Sequence, residues 1–346
     1  MKARFINSLF RTVLVVALTL FIVNVAFSQK ERTLILGAYT VPKEAYEKEV
    51  IPAFQVYWKQ KTGEVVKFEE SYVASGAQAR AIIGGLEADV AALSLEGDLQ
   101  KVVEAGLITH DWKSGPNKGM VTRSVVAIGY RPGNPKNIWD WDDLTKPGIE
   151  VLYPNPKTSG GAMWDVNAIY GAGLMISEMK TGKPDPAYAE NLLMAVQKNV
   201  KVMDKSGRES VSTFERGIGD ALVTYENEIL LRQMEGKDLP FVVPKATILI
   251  ENPTAIVDKY VDKHGTREVA EAFVEFCFNE QSQRAFAKYG FRPVVPKIAE
   301  EFKDKYPVPE MLFDINYLGG WGEVEKTIYG ADGVWTRIVE RIATGK

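Results

Sequence analysis

From Thr33 onward the chain alternates short apolar, β-branched runs with longer stretches whose apolar residues return every three or four positions. Strand-sized runs separated by amphipathic helical ones point to an α/β architecture with largely parallel sheets flanked by helices. Residues 33–38 read as a strand. Residues 42–62 then read as one helix, with Tyr46, Val50, Phe54, Tyr57 and Trp58 on one face and Gly63 placed to end it. Strands are expected at 65–69, 88–93 and 124–131, and a helix at 76–83 opened by Ser75. The turn-rich Pro132-Gly133-Asn134-Pro135 closes this series.

A second series follows: strand 151–153, helices 161–174 and 186–197, strand 200–203, helix 210–216 and strand 221–224. Residues 241–257, interrupted by Pro244 and Pro253, are extended and placed to carry the chain back; helices at 267–279, 282–289 and around Trp321 and Val334 complete it. Two series joined by two crossings make two lobes, a hinge and a closing cleft. The first lobe is expected to hold residues 29–125 and 248–346, and the second 126–247.

The N-terminus lies outside this pattern. Lys2, Arg4 and Arg11 precede an apolar run of about a dozen residues ending at Ala26-Phe27-Ser28, which reads as a secretory signal peptide over 1–28. The run is shorter than the ~20 residues that span a bilayer as a helix. Its removal leaves 39 Lys and Arg against 45 Asp and Glu, a net charge of −6. A mildly acidic surface gives nucleic acid or an anionic membrane no bulk attraction, so a negative guest must be held by local donors. The single cysteine, Cys277, forms no internal disulfide and reads as a small buried apolar residue.

Three Ser/Gly segments stand at expected helix starts: Ala74-Ser75-Gly76, Thr158-Ser159-Gly160-Gly161 and Lys205-Ser206-Gly207. A serine hydroxyl donates to an oxygen, glycine admits close approach, and the first helical turn offers unpaired N–H groups carrying partial positive charge. The same residues are also ordinary helix caps. Placed across a cleft they would clamp one anion from both sides. Enzyme chemistry is poorly served: His110 and His264 are the only histidines and neither is near a candidate nucleophile, no Gly-x-Ser-x-Gly elbow occurs, and one cysteine builds no zinc cluster. Glu226 and Glu228 alternate like a solvated or capping surface, and no metal or cofactor is expected.

Several ordered segments make the chain resemble a known family: Ala74-Ser-Gly-Ala-Gln-Ala79, Gly85-Leu-Glu-Ala-Asp-Val90, the 132–144 run ending Trp139-Asp-Trp-Asp-Asp-Leu144, Pro154-Asn-Pro-Lys-Thr-Ser-Gly-Gly-Ala162, Phe214-Glu-Arg-Gly-Ile-Gly-Asp220 and Gly319-Gly-Trp321. It resembles the periplasmic sulfate/thiosulfate-binding proteins of ABC importers over nearly all of the mature sequence. The resemblance implies a two-lobed type II periplasmic binding protein, a monomer, with a membrane permease and its ATPase as partners. It implies that Ser75, Ser159, Gly160, Gly161 and the backbone at Gly207 hold the anion. Charge balance would come from helix N-termini and hydrogen bonds, with Arg208 expected to support the site from behind. Two positions depart from the family pattern: Thr40 stands where an aspartate is usual, and Tyr225 where a tryptophan is usual. Both are expected to contact the ligand. Met163 and Tyr72 stand where some relatives carry basic or histidine side chains. Sulfate, fully ionised near neutrality, suits a site of donors only. Phosphate keeps a proton and wants an acceptor, none of which is visible in these motifs; such a mismatch costs ~1–3 kcal/mol.

Overall fold

The structure, a computed structural model, describes residues 31–345. The signal peptide expected at 1–28 lies outside them. The strands are β1 (Glu31–Tyr39), β2 (Val65–Val73), β3 (Val90–Ala92), β4 (Met120–Tyr130), β5 (Val151–Leu152), β6 (Val200–Val202), β7 (Ala221–Tyr225), β8 (Phe241–Val242), β9 (Ala246–Ile256) and β10 (Met311–Phe313). Their hydrogen-bonded order is β2-β1-β3-β9-β4-β7-β5-β6, with β8 on β4 and β10 on β9. In one half β2, β1 and β3 run parallel; in the other β7, β5 and β6 do. Parallel strands need helical cover on both faces. Accordingly, Leu34, Leu36, Ala38 and Tyr39 of β1 and all five residues of β7 are buried.

The long strands β4 and β9 pair antiparallel with each other and tie the halves together. Beyond that pairing, β4 continues against β7 while β9 reaches β3. The protein is thus a two-lobed α/β fold. Its last segment crosses once more. Residues 311–344 meet both series of elements: the Trp335 indole donates to Tyr153 at 3.2 Å, Tyr317 to Glu178 at 2.8 Å and Arg337 pairs with Glu190 at 2.9 Å, while Glu325 pairs with Lys101 at 3.0 Å.

Local rules account for the helix ends. Ser159 caps the 22-residue helix Gly160–Thr181, and Gly182, at φ 82°, terminates it in the left-handed conformation favoured by glycine. The single helix expected at 42–62 instead contains a π-helical turn, Tyr46–Val50, between Lys43–Ala45 and Ile51–Thr62. Pro52 explains it: without an N–H it cannot bond to the carbonyl four residues back, and a widened turn absorbs the lost bond. Helices Glu96–Glu104 and Glu226–Met234 lie outside the expected set. Cys277 is buried, as expected.

His264 closes a clasp beneath the first lobe. Its Nδ1 lies 2.9 Å from the buried Asp89 and its Nε2 3.0 Å from Glu87, while Asp89 also accepts from the Ile35 N–H at 2.8 Å. Burial pulls the imidazole pKa down, but the bonds to Asp89 and Glu87 outweigh it and hold it above its ordinary value. A raised folded-state pKa stabilises the fold below the unfolded value, ~6.5, and that stability fades as pH rises through the folded value. The expected result is a wild-type Tm that falls from mildly acid toward alkaline pH more steeply than that of His264→Gln. Parallel Tm profiles in differential scanning fluorimetry would discard the clasp.

Candidate functional site

Four helix N-termini converge on one small cavity between the lobes. The helix Ser75–Ile83 presents Ala74 and Ser75, Gly160–Thr181 presents Ser159 and Gly161, Gly207–Glu215 presents Ser206 and Gly207, and Glu226–Met234 presents Tyr225 and Glu228. Thr40, following β1, and Ser94, following β3, complete the wall. The cavity is tight, with about 10 Å³ open to the centre of a water-sized sphere, little more than the room of one ordered water, which excludes a large solute. Each helix start carries roughly half a positive charge, so the cavity favours an anion although no lysine or arginine side chain lines it.

The lobes are closed on each other. The Trp164 indole donates across the cleft to the Ser94 carbonyl at 2.8 Å. Arg208 grips Glu44 of the opposite lobe with two bonds of 2.6 and 2.9 Å and reaches the Val41 carbonyl at 3.3 Å. Its Nε holds the buried Glu228 at 3.1 Å. Burial opposes the charge on Glu44, yet Arg208 keeps its pKa below the usual carboxylate value. Arg208, more than half buried and committed to two carboxylates, stands behind the cavity rather than in it.

Six of the residues singled out from the sequence, Thr40, Ser75, Ser159, Gly161, Gly207 and Tyr225, line this cavity. Gly160 takes another place: its α-carbon faces the opposite lobe, where an added methyl would lie 2.2 Å from Ser94 Oγ. Ser75 is the first residue of its helix, and Ala74 holds the cap position. The Ser75 hydroxyl donates to Asp98 at 2.7 Å and accepts from the Ser94 N–H at 3.0 Å. Ser159 and Ser206 are true caps, accepting from the N–H groups of Ala162 at 3.4 Å and Glu209 at 3.2 Å. As acceptors there, they keep their own hydroxyl protons for a guest. The helix expected from 210 starts at Gly207. The Tyr225 hydroxyl is buried without a partner, as is Ser94 Oγ. Burial first, then Tyr39 and Asp165, hold the phenol pKa well above its ordinary value. Tyr225 is therefore a neutral donor.

Two expectations are corrected. Glu226 and Glu228 are not a solvated surface: they are 2% and 0% exposed. Both lie in the first turn of the helix Glu226–Met234, where the dipole favours a carboxylate, and each meets an arginine from elsewhere in the chain, Arg292 at 2.8 Å for Glu226 and Arg208 at 3.1 Å for Glu228. The site is also not made of donors alone, because Asp165, 1% exposed, lines the cavity. A carboxyl absent from the motifs is thus present in the fold, and it accepts when ionised but donates when protonated. Asp165 was hidden by its place in an otherwise apolar helical run. Ser94 gave one signal, its position directly after a strand, where loops of open α/β sheets carry ligand contacts.

A closed two-lobed fold with helix starts around a small cleft cavity defines a binding protein for a small solute. The pattern of the bacterial extracellular solute-binding proteins matches residues 37–292. A sulfate-binding protein of Synechococcus elongatus is 44% identical over 90% of this chain and 87% of its own length. A thiosulfate-binding protein of Escherichia coli is 35% identical over 87% of this chain and 89% of its own. The solved sulfate-binding protein SubI of Mycobacterium tuberculosis superposes with a TM-score of 0.77 at 38% identity, covering 86% of this chain and 98% of that one. The chain belongs to the bacterial extracellular solute-binding proteins, in their sulfate- and thiosulfate-binding family.

Proposed function

We propose that the protein captures sulfate, with thiosulfate as the next candidate, in the periplasm and delivers it to the permease and ATPase of an ABC importer. The observation that carries this reading is the convergence of Ser159, Ser206, Tyr225 and four helix N-termini on one small cavity. The relatives that bind sulfate or thiosulfate support it. The protein acts as a carrier, not an enzyme: His110 is engaged with Asp258 and His264 with Asp89 and Glu87, and both lie apart from the cavity. We place the lobe boundaries at 125/126 and 247/248, within the paired strands β4 and β9, with the C-terminal helices meeting both lobes.

In the working cycle the open form admits the anion, donors from both lobes engage it, and the closed form presents its outer surface to the permease. Isothermal calorimetry with sulfate, thiosulfate, phosphate, molybdate and buffer alone tests the ligand; silence from both sulfur anions would reject it. Ser159→Ala removes a donor to a charged group and is expected to weaken sulfate binding by at least ~1 kcal/mol, about fivefold. An unchanged Kd removes Ser159 from the contact set.

A further inference from the structure

Asp165 sits oddly in an anion site. Its side chain lines the cavity, is almost completely buried, and has a carboxyl oxygen, Oδ1, with no hydrogen-bond partner. An ionised carboxylate there would face the guest's negative charge in a space that excludes water, with no cation to offset it. The groups around it bring no charge relief. Tyr225 at the end of β7, Tyr153 after β5 and Tyr329 after the helix Trp321–Thr327 lie within its field, and burial first, then Asp165 among other neighbours, holds all three phenols neutral. The other carboxylate lining the cavity, Glu228, is held by Arg208, and behind the wall Arg208 is also taken by Glu44 while Asp98 is engaged by Ser75 and by Lys101 at 3.3 Å.

We propose that Asp165 enters the closed, loaded site as a neutral carboxylic acid whose O–H donates to the oxyanion, so that each dianion is captured together with one proton from solvent. The inference rests on the sulfate reading above and deepens it. The carboxyl offers one donor and thereby converts a repulsive neighbour into a ligand. Burial alone pushes its pKa well above the carboxylate range in the closed form. Opening the cleft hydrates the group and lets the pKa fall back. Closure on sulfate therefore drives proton uptake, and affinity falls as pH rises above the open-form value.

The test is calorimetric titration of wild type and Asp165→Asn with sulfate, from about pH 6 to about pH 9, in buffer pairs of different ionisation enthalpy; sulfate carries no proton in this range. For wild type the expected result is uptake approaching one proton per sulfate and a Kd that rises toward tenfold per pH unit on the alkaline side. Asn keeps an N–H donor but cannot titrate, so whatever its affinity at the lowest pH, the variant's Kd should vary less than about twofold and its proton uptake should vanish. Wild-type binding without proton uptake, or uptake that survives in Asp165→Asn, overturns the role of Asp165. Absence of binding by sulfate and thiosulfate at every pH overturns instead the reading on which the proposal rests. The wild-type proton count stands even where the variant folds poorly.

Discussion

Gly160→Ala is expected to weaken sulfate binding by roughly tenfold to a hundredfold while leaving the unliganded protein at least as stable as wild type. A methyl at this position would lie 2.2 Å from Ser94 Oγ, 2.8 Å from Leu95 Cδ2 and 3.1 Å from Asp98 Oδ2. All three belong to the opposite lobe, and the Asp98 oxygen is held in place by Ser75. Relief requires all three to move at once or the lobes to part, and overpacking of this kind costs about 1–3 kcal/mol. The cost falls on closure alone. In the open form the methyl meets solvent, and alanine is the better helix former at the start of Gly160–Thr181 by a fraction of a kcal/mol. The measurement is therefore paired: Tm without ligand, and Kd for sulfate. Adding Ser94→Gly opens the tightest of the three contacts and should return part of the affinity. A Kd unmoved by Gly160→Ala would mean that the ligand-loaded lobes do not approach as closely as these distances require.

Gly160 also marks where sequence reading reached its limit. The Ser-Gly-Gly run announces close approach of a backbone, but not what approaches it. At Gly161 that is the cavity; at Gly160 it is the other lobe. Ser159 and Gly207 were legible because the alternation of apolar runs fixes where a strand end meets a helix start and chemistry gathers there; Thr40 and Tyr225, at junctions of the same kind, were singled out only through the family resemblance. Asp165 and Glu228 were not. Each lies inside or at the head of a helix, where a lone carboxylate reads as surface or as a cap; only the packing of distant segments shows it to be buried. The Arg208–Glu44 bridge joins residues 164 apart in the chain, and no local periodicity encodes that pairing. The same limit explains the C-terminal segment. Its amphipathic helices were visible, but whether they would meet the first lobe, the second or both depends on residues such as Tyr153 and Glu178, which lie more than a hundred residues earlier.

Electrostatics separates the two roles of Arg208. Arg208→Ala is expected to lower the Tm by several degrees and to weaken sulfate binding at least tenfold, whereas Glu44→Gln should weaken binding and leave the Tm of the unliganded protein unchanged. Glu228, fully buried, depends on Arg208 at 3.1 Å, and its other cation, Arg232, is 4.0 Å away. Removing Arg208 strands a buried carboxylate, a defect that costs about 3–5 kcal/mol where such pairs have been broken. That cost is present whether the cleft is open or shut. Glu44 is different. It meets Arg208 only across the cleft, through a two-point contact that matches the planar guanidinium. In the open protein it is solvated and lacks nothing. Charge-assisted bonds of this kind contribute about 1.5–3 kcal/mol, so their loss appears wholly in closure, as roughly a tenfold to hundredfold rise in Kd. Arg208→Lys should resemble Glu44→Gln in binding while sparing most of the stability, because an ammonium can neutralise Glu228 but cannot reproduce the fork toward Glu44. Equal Tm losses in Arg208→Ala and Glu44→Gln would show that the bridge is a fixed part of the fold and not a latch made on closing.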